Sequence, residues 1–238
     1  MPKPSAAARI FQELLTNPEA RHKPVPRKGL PRELKILRQF QANRLAKTYA
    51  DLLATKRYGP ACRFFLSDIY APKDFSQRDH DGETIYRLMR KFLPERMLHL
   101  LGRVLTLNRL TQELDERLAD AIFNQLGATD TITPQLYAEG YRLCDNYQER
   151  EEQIDMIVEV GWGVDRLMKN PLTAPTLRMA KVPAKVAGWT ELHDFLERGY
   201  RAFKKMRGAK HFLETIESRE KKILHNLFSA EPDPFRID

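Results

Sequence analysis

The stretch "PERMLHLLGRVLTLNRLTQELDERLADAIFNQLG", Pro94–Gly127, decides the fold. Leu107, Leu110, Leu114, Leu118 and Ile122 recur at steps of three and four, the period of a helix with one buried stripe. Pro94 suits a first helical turn, and Gly127 suits the left-handed residue just past a last one. At about 1.5 Å per residue such a helix spans roughly 45 Å. It predicts a central strut that other helices cover, able to bend near Gly102.

The same period extends outward on both sides. Upstream, residues 5–15, "SAAARIFQELL", predict a short first helix. Residues 17–31, "NPEARHKPVPRKGLP", hold four prolines and predict an extended arm. Pro31 opens a helix to about Thr55, with Leu34, Leu37, Leu45, Tyr49 and Leu52 along its apolar side. Downstream, Thr133 stands as an N-cap before Pro134. In residues 147–170, Gly161 and Gly163 flank Trp162 inside a helical pattern. Glycine costs helix stability, so the pair predicts a close helix crossing there. Residues 171–188 predict a short, broken, basic helical stretch. Two amphipathic helices come next, one lined by Leu192, Phe195 and Phe203, the other by Phe212, Ile216 and Ile223. Glu217 and Lys221 form an i,i+4 pair on the last. No segment alternates with period two, and no repeat of fixed period occurs. The expected fold is all-α: a single multi-helix domain over 31–228, of eight to ten helices packed as antiparallel pairs. A helix and basic Pro-rich arm, 1–30, precede it, and a loose tail, 229–238, ends the chain.

Composition fits a globular chain, with 42% hydrophobic and 30% charged residues among 238. There is no run of about 18 apolar residues, which excludes a membrane span, and the N-terminus lacks the apolar core of a secretory signal. Cys62 and Cys144 stand far apart without a C-x-x-C, so a reducing, cytoplasmic setting is expected and a cysteine metal site is not. The net charge of +8 is uneven. Residues 1–60 carry 13 Lys/Arg against 4 Asp/Glu, and the rest of the chain is nearly neutral. A second basic region holds Arg178, Lys181 and Lys185 with no acid between Leu172 and Gly188. Such patches attract nucleic acid, anionic lipid or acidic protein.

Residues 63–79, "RFFLSDIYAPKDFSQRD", are the chemically densest segment. Ala61, Phe64, Phe65, Leu66 and Ile69 predict a buried helix face that Pro72 terminates. Asp74 with Gln77 three residues on reads as a capping box, and Asp81 as the cap of a next helix over 82–92. Arg63, Asp68, Tyr70, Arg78 and Asp79 have no such local role, and they are the candidate binding residues. Asp79–Glu83 fails as a calcium loop, because that spacing needs Gly at 84 and Glu at 90, where Thr84 and Arg90 stand. Glu-x-x-His, H-E-x-x-H, G-x-S-x-G and the P-loop are all missing. No metal, cofactor or catalytic residue is therefore assigned. Arg198, Arg201 and Lys205 share one helix face; with Arg27, Lys28 and the 178–185 group they form the candidate basic surface.

The block "FFLSDIYAPKDFSQRD" resembles an uncharacterised family of bacterial proteins with a Phe-Phe-Leu-x-Asp-x-Tyr-x-Pro-x-Asp-Phe signature. Residues 188–224, "GWTELHDFLERGYRAFKKMRGAKHFLETIESREKKIL", also look like that family's C-terminal region. The two cover about a quarter of the chain, with Ala71 where the family pattern suggests Gly. The resemblance implies a bacterial, soluble, helical protein and carries no activity with it. The leading expectation is a non-enzymatic binding or adaptor protein that engages a protein or anionic partner through basic surfaces. One alternative is an enzyme or small-ligand-binding domain with a polar pocket around Asp68, Tyr70, Arg78 and Asp79. The other is a nucleic-acid-binding protein. The proline-rich arm also offers a surface for a homodimer.

Overall fold

A computed structural model describes residues 12, 16, 23–24, 29–74, 76–89 and 95–237. Most of the expected first helix and of the arm, Arg27 and Lys28 included, lies outside the described residues. Among the described residues the chain forms ten α-helices and no strand. They are α1 (Arg32–Thr48), α2 (Ala50–Ala54), α3 (Gly59–Phe64), α4 (Ser76–Met89) and α5 (Glu95–Ala119). After them come α6 (Pro134–Cys144), α7 (Tyr147–Lys169), α8 (Thr173–Val186), α9 (Thr190–Lys204) and α10 (Lys210–Phe228).

Local signals set two of the boundaries. Thr133 Oγ1 accepts from the Leu136 amide at 3.1 Å and starts α6. Gly127, with φ at +73°, stands past the end of the long helix as expected. Two helices end in wider turns that periodicity does not reveal. α3 passes into a π-helical turn over Phe65–Ile69, and α5 into another over Asp120–Gln125. The extra residue per turn rotates the downstream side chains about the axis. Ile69, expected in the core, is therefore 36% exposed. Helix α4 begins at Ser76, not at 82, so Asp81 lies within it, buried, and does not cap it.

The centre of the fold is α7, which packs between α5 and α10. Both faces of that contact use the glycines around Trp162. A Cβ at Gly161 would run into Leu213 of α10, and one at Gly163 into Leu100 of α5. The expected close crossing exists, and it is double-sided. α1 packs on α5, α6 on α10, and α3 on α9. Helix α8 sits at the periphery and packs chiefly on α9.

Two apolar cores result. One gathers Tyr58, Phe64, Phe203, Met206, Phe212 and Leu213; the other gathers Leu37, Leu118, Ile122, Tyr137, Ile223 and Leu227. The terminal residues, expected loose, are docked on the second core. The Phe235 ring centroid lies 5.9 Å from that of Tyr137 and 6.0 Å from that of Phe40. Asn226 Nδ2 donates to the Arg236 carbonyl at 2.9 Å. Phe235, Ile237 and the buried Asn226 amide thus hold a segment whose composition reads as loop.

Replacing Gly161 with Ala is expected to lower stability by about 1–3 kcal/mol despite alanine's higher helix propensity, because Leu213 is locked in the core. Gly163→Ala is expected to be milder, since Leu100 is only half-buried and can turn aside. Urea unfolding of both variants checks the order, and equal or reversed costs would contradict the packing account.

Candidate functional site

The candidate residues of the 63–79 segment divide between two places. At the first, three of them bond to one another. The π-turn presents Asp68 toward α9, where Arg198 donates to its Oδ1 through Nε at 2.9 Å and Nη2 at 2.6 Å. Ser67 Oγ donates to the other carboxylate oxygen at 2.8 Å. Arg78, on the first turn of α4, donates from Nη1 to the Asp68 backbone carbonyl at 2.6 Å. Its remaining nitrogens reach Asp79 Oδ1 at 3.1 and 2.9 Å. The guanidinium also lies 4.7 Å above the Phe195 ring. Asp79 Oδ2 accepts from Asn108 and Gln112 of α5, both at 3.3 Å. The junction therefore ties α3, α4, α5 and α9 together. Asp74 contributes a cap, with Oδ1 accepting from the Ser76 amide at 2.9 Å. Arg63 takes no part: it is exposed on α3 and lies over Gly59.

Tyr70 belongs to a second polar centre that local sequence does not reveal. Arg44 Nη1 donates to Glu220 Oε1 at 2.6 Å, and the Tyr49 hydroxyl donates to the same oxygen at 2.8 Å. The Arg44 and Glu220 side chains are 11% and 15% exposed. Burial, then the Glu220 charge, holds the Tyr70 and Tyr49 hydroxyls far above the ordinary tyrosine range, so both stay protonated. Alongside, Gln41 Nε2 donates to buried Asp115 at 3.0 Å, and Arg150 sits 3.9 Å from that carboxylate. Arg150 Nη2 donates to the Leu114 carbonyl at 2.8 Å. Burial raises the Asp115 pKa; Arg150 and the Gln41 hydrogen bond only partly pull it back. Ionisable residues at core positions of α1, α5, α7 and α10 carry no periodic signal that distinguishes them from solvated ones.

The basic candidates separate as well. Arg198 spends its guanidinium on Asp68. Arg201 stands 3.8 Å from Glu197, its own i−4 neighbour, and Lys205 is exposed after the end of α9. On α8, by contrast, Arg178, Lys181 and Lys185 are all exposed on a helix with no acid. Composition locates that charge and is silent on the residues beside it. Leu172, Met179, Val182 and Val186 are 68%, 59%, 70% and 68% exposed. Exposed Pro175 completes the series. At 3.6 residues per turn, 172, 175, 179, 182 and 186 fall within a sector of about 80° on the outward side. The three basic residues occupy the adjoining sector. The spacing is legible in the sequence; a core-facing stripe would show the same spacing, and only the packing of α8 on α9 reveals which way it faces.

His193, with Asp194 and Glu197, forms a group whose ligand atoms lie within 4.8 Å of one another. The imidazole is buried between α8 and α9, and its Nε2 meets the Leu177 carbonyl at 2.9 Å. That contact spans α8 and α9 and gives the ring a structural task. Cys62 is buried, its thiol pushed up to about 11 by burial, which disfavours the nucleophilic thiolate. An open depression of about 350 Å³, lined by Glu116, Arg117, Asp120, Leu143 and Cys144 among others, contains none of the predicted residues.

Residues 20–234 match the family model described as "Domain of unknown function (DUF8198)", and the chain belongs to that family. No curated protein and no solved structure matches the chain.

Two consequences of this geometry are measurable. Arg78→Lys keeps the charge but loses the fork that holds Asp68 and Asp79 together, and is expected to cost about 1.5–3 kcal/mol in urea unfolding. A double-mutant cycle with Asp79→Asn should show the two losses to be non-additive, and simple additivity would contradict a shared network. For Asp115 the sign comes from its raised pKa: folding favours the protonated acid. Its contribution is present at pH below the ordinary carboxylate value of about 4 and is lost as pH rises through the raised folded value. The melting temperature of the wild type minus that of Asp115→Asn should therefore fall as pH climbs from about 4; a rise would contradict the assignment.

Proposed function

We propose that this chain is a non-enzymatic helical binding or adaptor protein that docks an anionic partner on the outward face of α8. One observation carries the reading: four large apolar side chains, 59% to 70% exposed, line one side of a helix whose adjoining side bears Arg178, Lys181 and Lys185. Scattered exposed apolar residues are ordinary, but a continuous stripe marks an interaction surface. Three exposed cations beside it, with no acid on the helix, set the sign of what binds.

The polar residues of the 63–79 junction support this reading over a pocket-based one. Asp68, Arg78 and Asp79 bond to one another and to α5 and α9, so their hydrogen-bonding groups are directed at the protein's own elements. Their work is to hold the scaffold that carries α9, and with it α8.

A photo-crosslinking residue at position 182, compared with one at exposed position 152 on α7, tests the reading in cells that make the protein. Adducts are expected several-fold more often at 182 and should be lost when Lys181 and Lys185 are both changed to Glu. Equal labelling at both positions, or labelling at 182 indifferent to those charges, would overturn it.

A further inference from the structure

We infer that the anionic partner of α8 is a lipid bilayer surface, on which the helix lies flat with its apolar stripe in the headgroup layer; this rests on the docking role just proposed. Shape favours lipid over protein. The stripe stands on the convex outer side of a single peripheral helix that packs chiefly on α9, so it offers a ridge and not a groove. A helix of 14 residues is about 21 Å long and about 10 Å wide. That footprint, about 210 Å² in projection, is small beside the roughly 800 Å² of accessible surface that each partner buries in a stable protein interface. A headgroup layer needs no matching groove, because lipids close around whatever is inserted.

Charge points the same way. From Asn170 to Thr190 the chain has no Asp or Glu. A protein partner would have to place acidic groups opposite each of these cations to fix register. A uniformly negative leaflet requires only positive charge near the headgroups, and Arg178, Lys181 and Lys185 line one side of the stripe on stems long enough to reach phosphate. An apolar face beside a cationic one is the arrangement of helices that lie in the membrane interface. It is also compatible with the absence of any helix, among the described residues, long and apolar enough to cross a membrane. The inward side of α8 is committed elsewhere. Ala184 is buried, and the Leu177 carbonyl meets His193 of α9, so the outward stripe is the side left for a partner.

Flotation of the full chain with vesicles tests the inference. Vesicles of one part phosphatidylglycerol to two parts phosphatidylcholine are compared with pure phosphatidylcholine, at low and high salt. The wild type should float with the anionic vesicles at low salt and about tenfold less with neutral ones. Val182→Asp and the double change Lys181→Glu, Lys185→Glu should each lower the bound fraction about tenfold. All three positions are exposed, so far-UV circular dichroism should be unchanged; Met179→Gln is the milder variant if Val182→Asp perturbs the fold. No flotation of the wild type at low salt overturns the lipid inference. Flotation equal in all variants overturns it too, because α8 is then not the contact. Loss with the charge changes alone, with Val182→Asp and Met179→Gln unaffected, shows adsorption without insertion and also overturns it. If position 182 crosslinks to protein in cells while vesicles are ignored, the lipid inference falls and the docking reading stands. If neither occurs, both fall.

Discussion

The contact on which the rest of the structure depends is the buried bond between Arg44 of α1 and Glu220 of α10, shared with the Tyr49 hydroxyl. Along α1, Leu37 enters one apolar core, and Leu45 and Tyr49 the other; Arg44 stands between. Along α10, Phe212 and Leu213 enter one core, and Ile223 and Leu227 the other; Glu220 stands between. The ion pair therefore marks the seam at which two cores meet on both helices. Burying two charges is expensive, and apolar replacements of similar volume often do no worse. What the pair adds is register. Sliding α1 along α10 by one residue would leave two charges unpaired in the interior, a far larger penalty than a shifted leucine. Adjacent Arg219 reinforces the same register, with a two-pronged bond to Asp51 and a third to the Thr48 carbonyl at the end of α1. Phe235, from the docked tail, lies 6.0 Å from the Arg44 guanidinium and helps close the seam to water.

This constraint explains the two destinations of the 63–79 segment. Its π-turn releases the backbone from α-helical register after Phe64, which lets Asp68 face Arg198 on α9 and lets Tyr70 approach the Glu220 seam. One short segment thereby couples the inner polar layer to the outer junction of α3, α4, α5 and α9. A chemically dense segment need not be a reactive one. Here density comes from connectivity, because several helices have to be joined through few residues.

The parts of the fold legible in the sequence are those governed by neighbours in the chain. Thr133 before Pro134, Gly127 after the long helix and the glycines around Trp162 each announce a local need, and each meets it. The parts not legible depend on distant partners. Arg44 and Glu220 are 176 residues apart, and each reads locally as a charge on a solvated face. The π-turns are invisible because one added residue per turn leaves composition unchanged. Asp81 reads as a cap because an acid before glycine resembles a helix start; inside α4, Gln77 donates to one of its carboxylate oxygens instead. For the candidate site, the charges of α8 are readable and its exposure is not. Periodicity gives the angle of a stripe around a helix axis, never the direction in which that axis is turned.

The outward turn of the α8 stripe runs against the usual construction of a peripheral helix. Such a helix can stay soluble by placing polar residues outward; the exposed side of α9 carries Glu191, Arg198 and Arg201, with Leu196 the one large apolar residue exposed beside them. Helix α8 instead places Met179, Val182 and Val186 outward and gives its inward side to Leu177 and to small residues such as Ala180 and Ala184, with Ala187 just past its end. The small residues let α8 lie close on α9 but bury little apolar surface, so the helix draws limited stability from that contact. Pro183 removes one backbone donor from its interior as well. A helix built only to complete the fold would carry its large side chains on the other side. The reversed arrangement is the one that the proposed docking of a partner on this face would require.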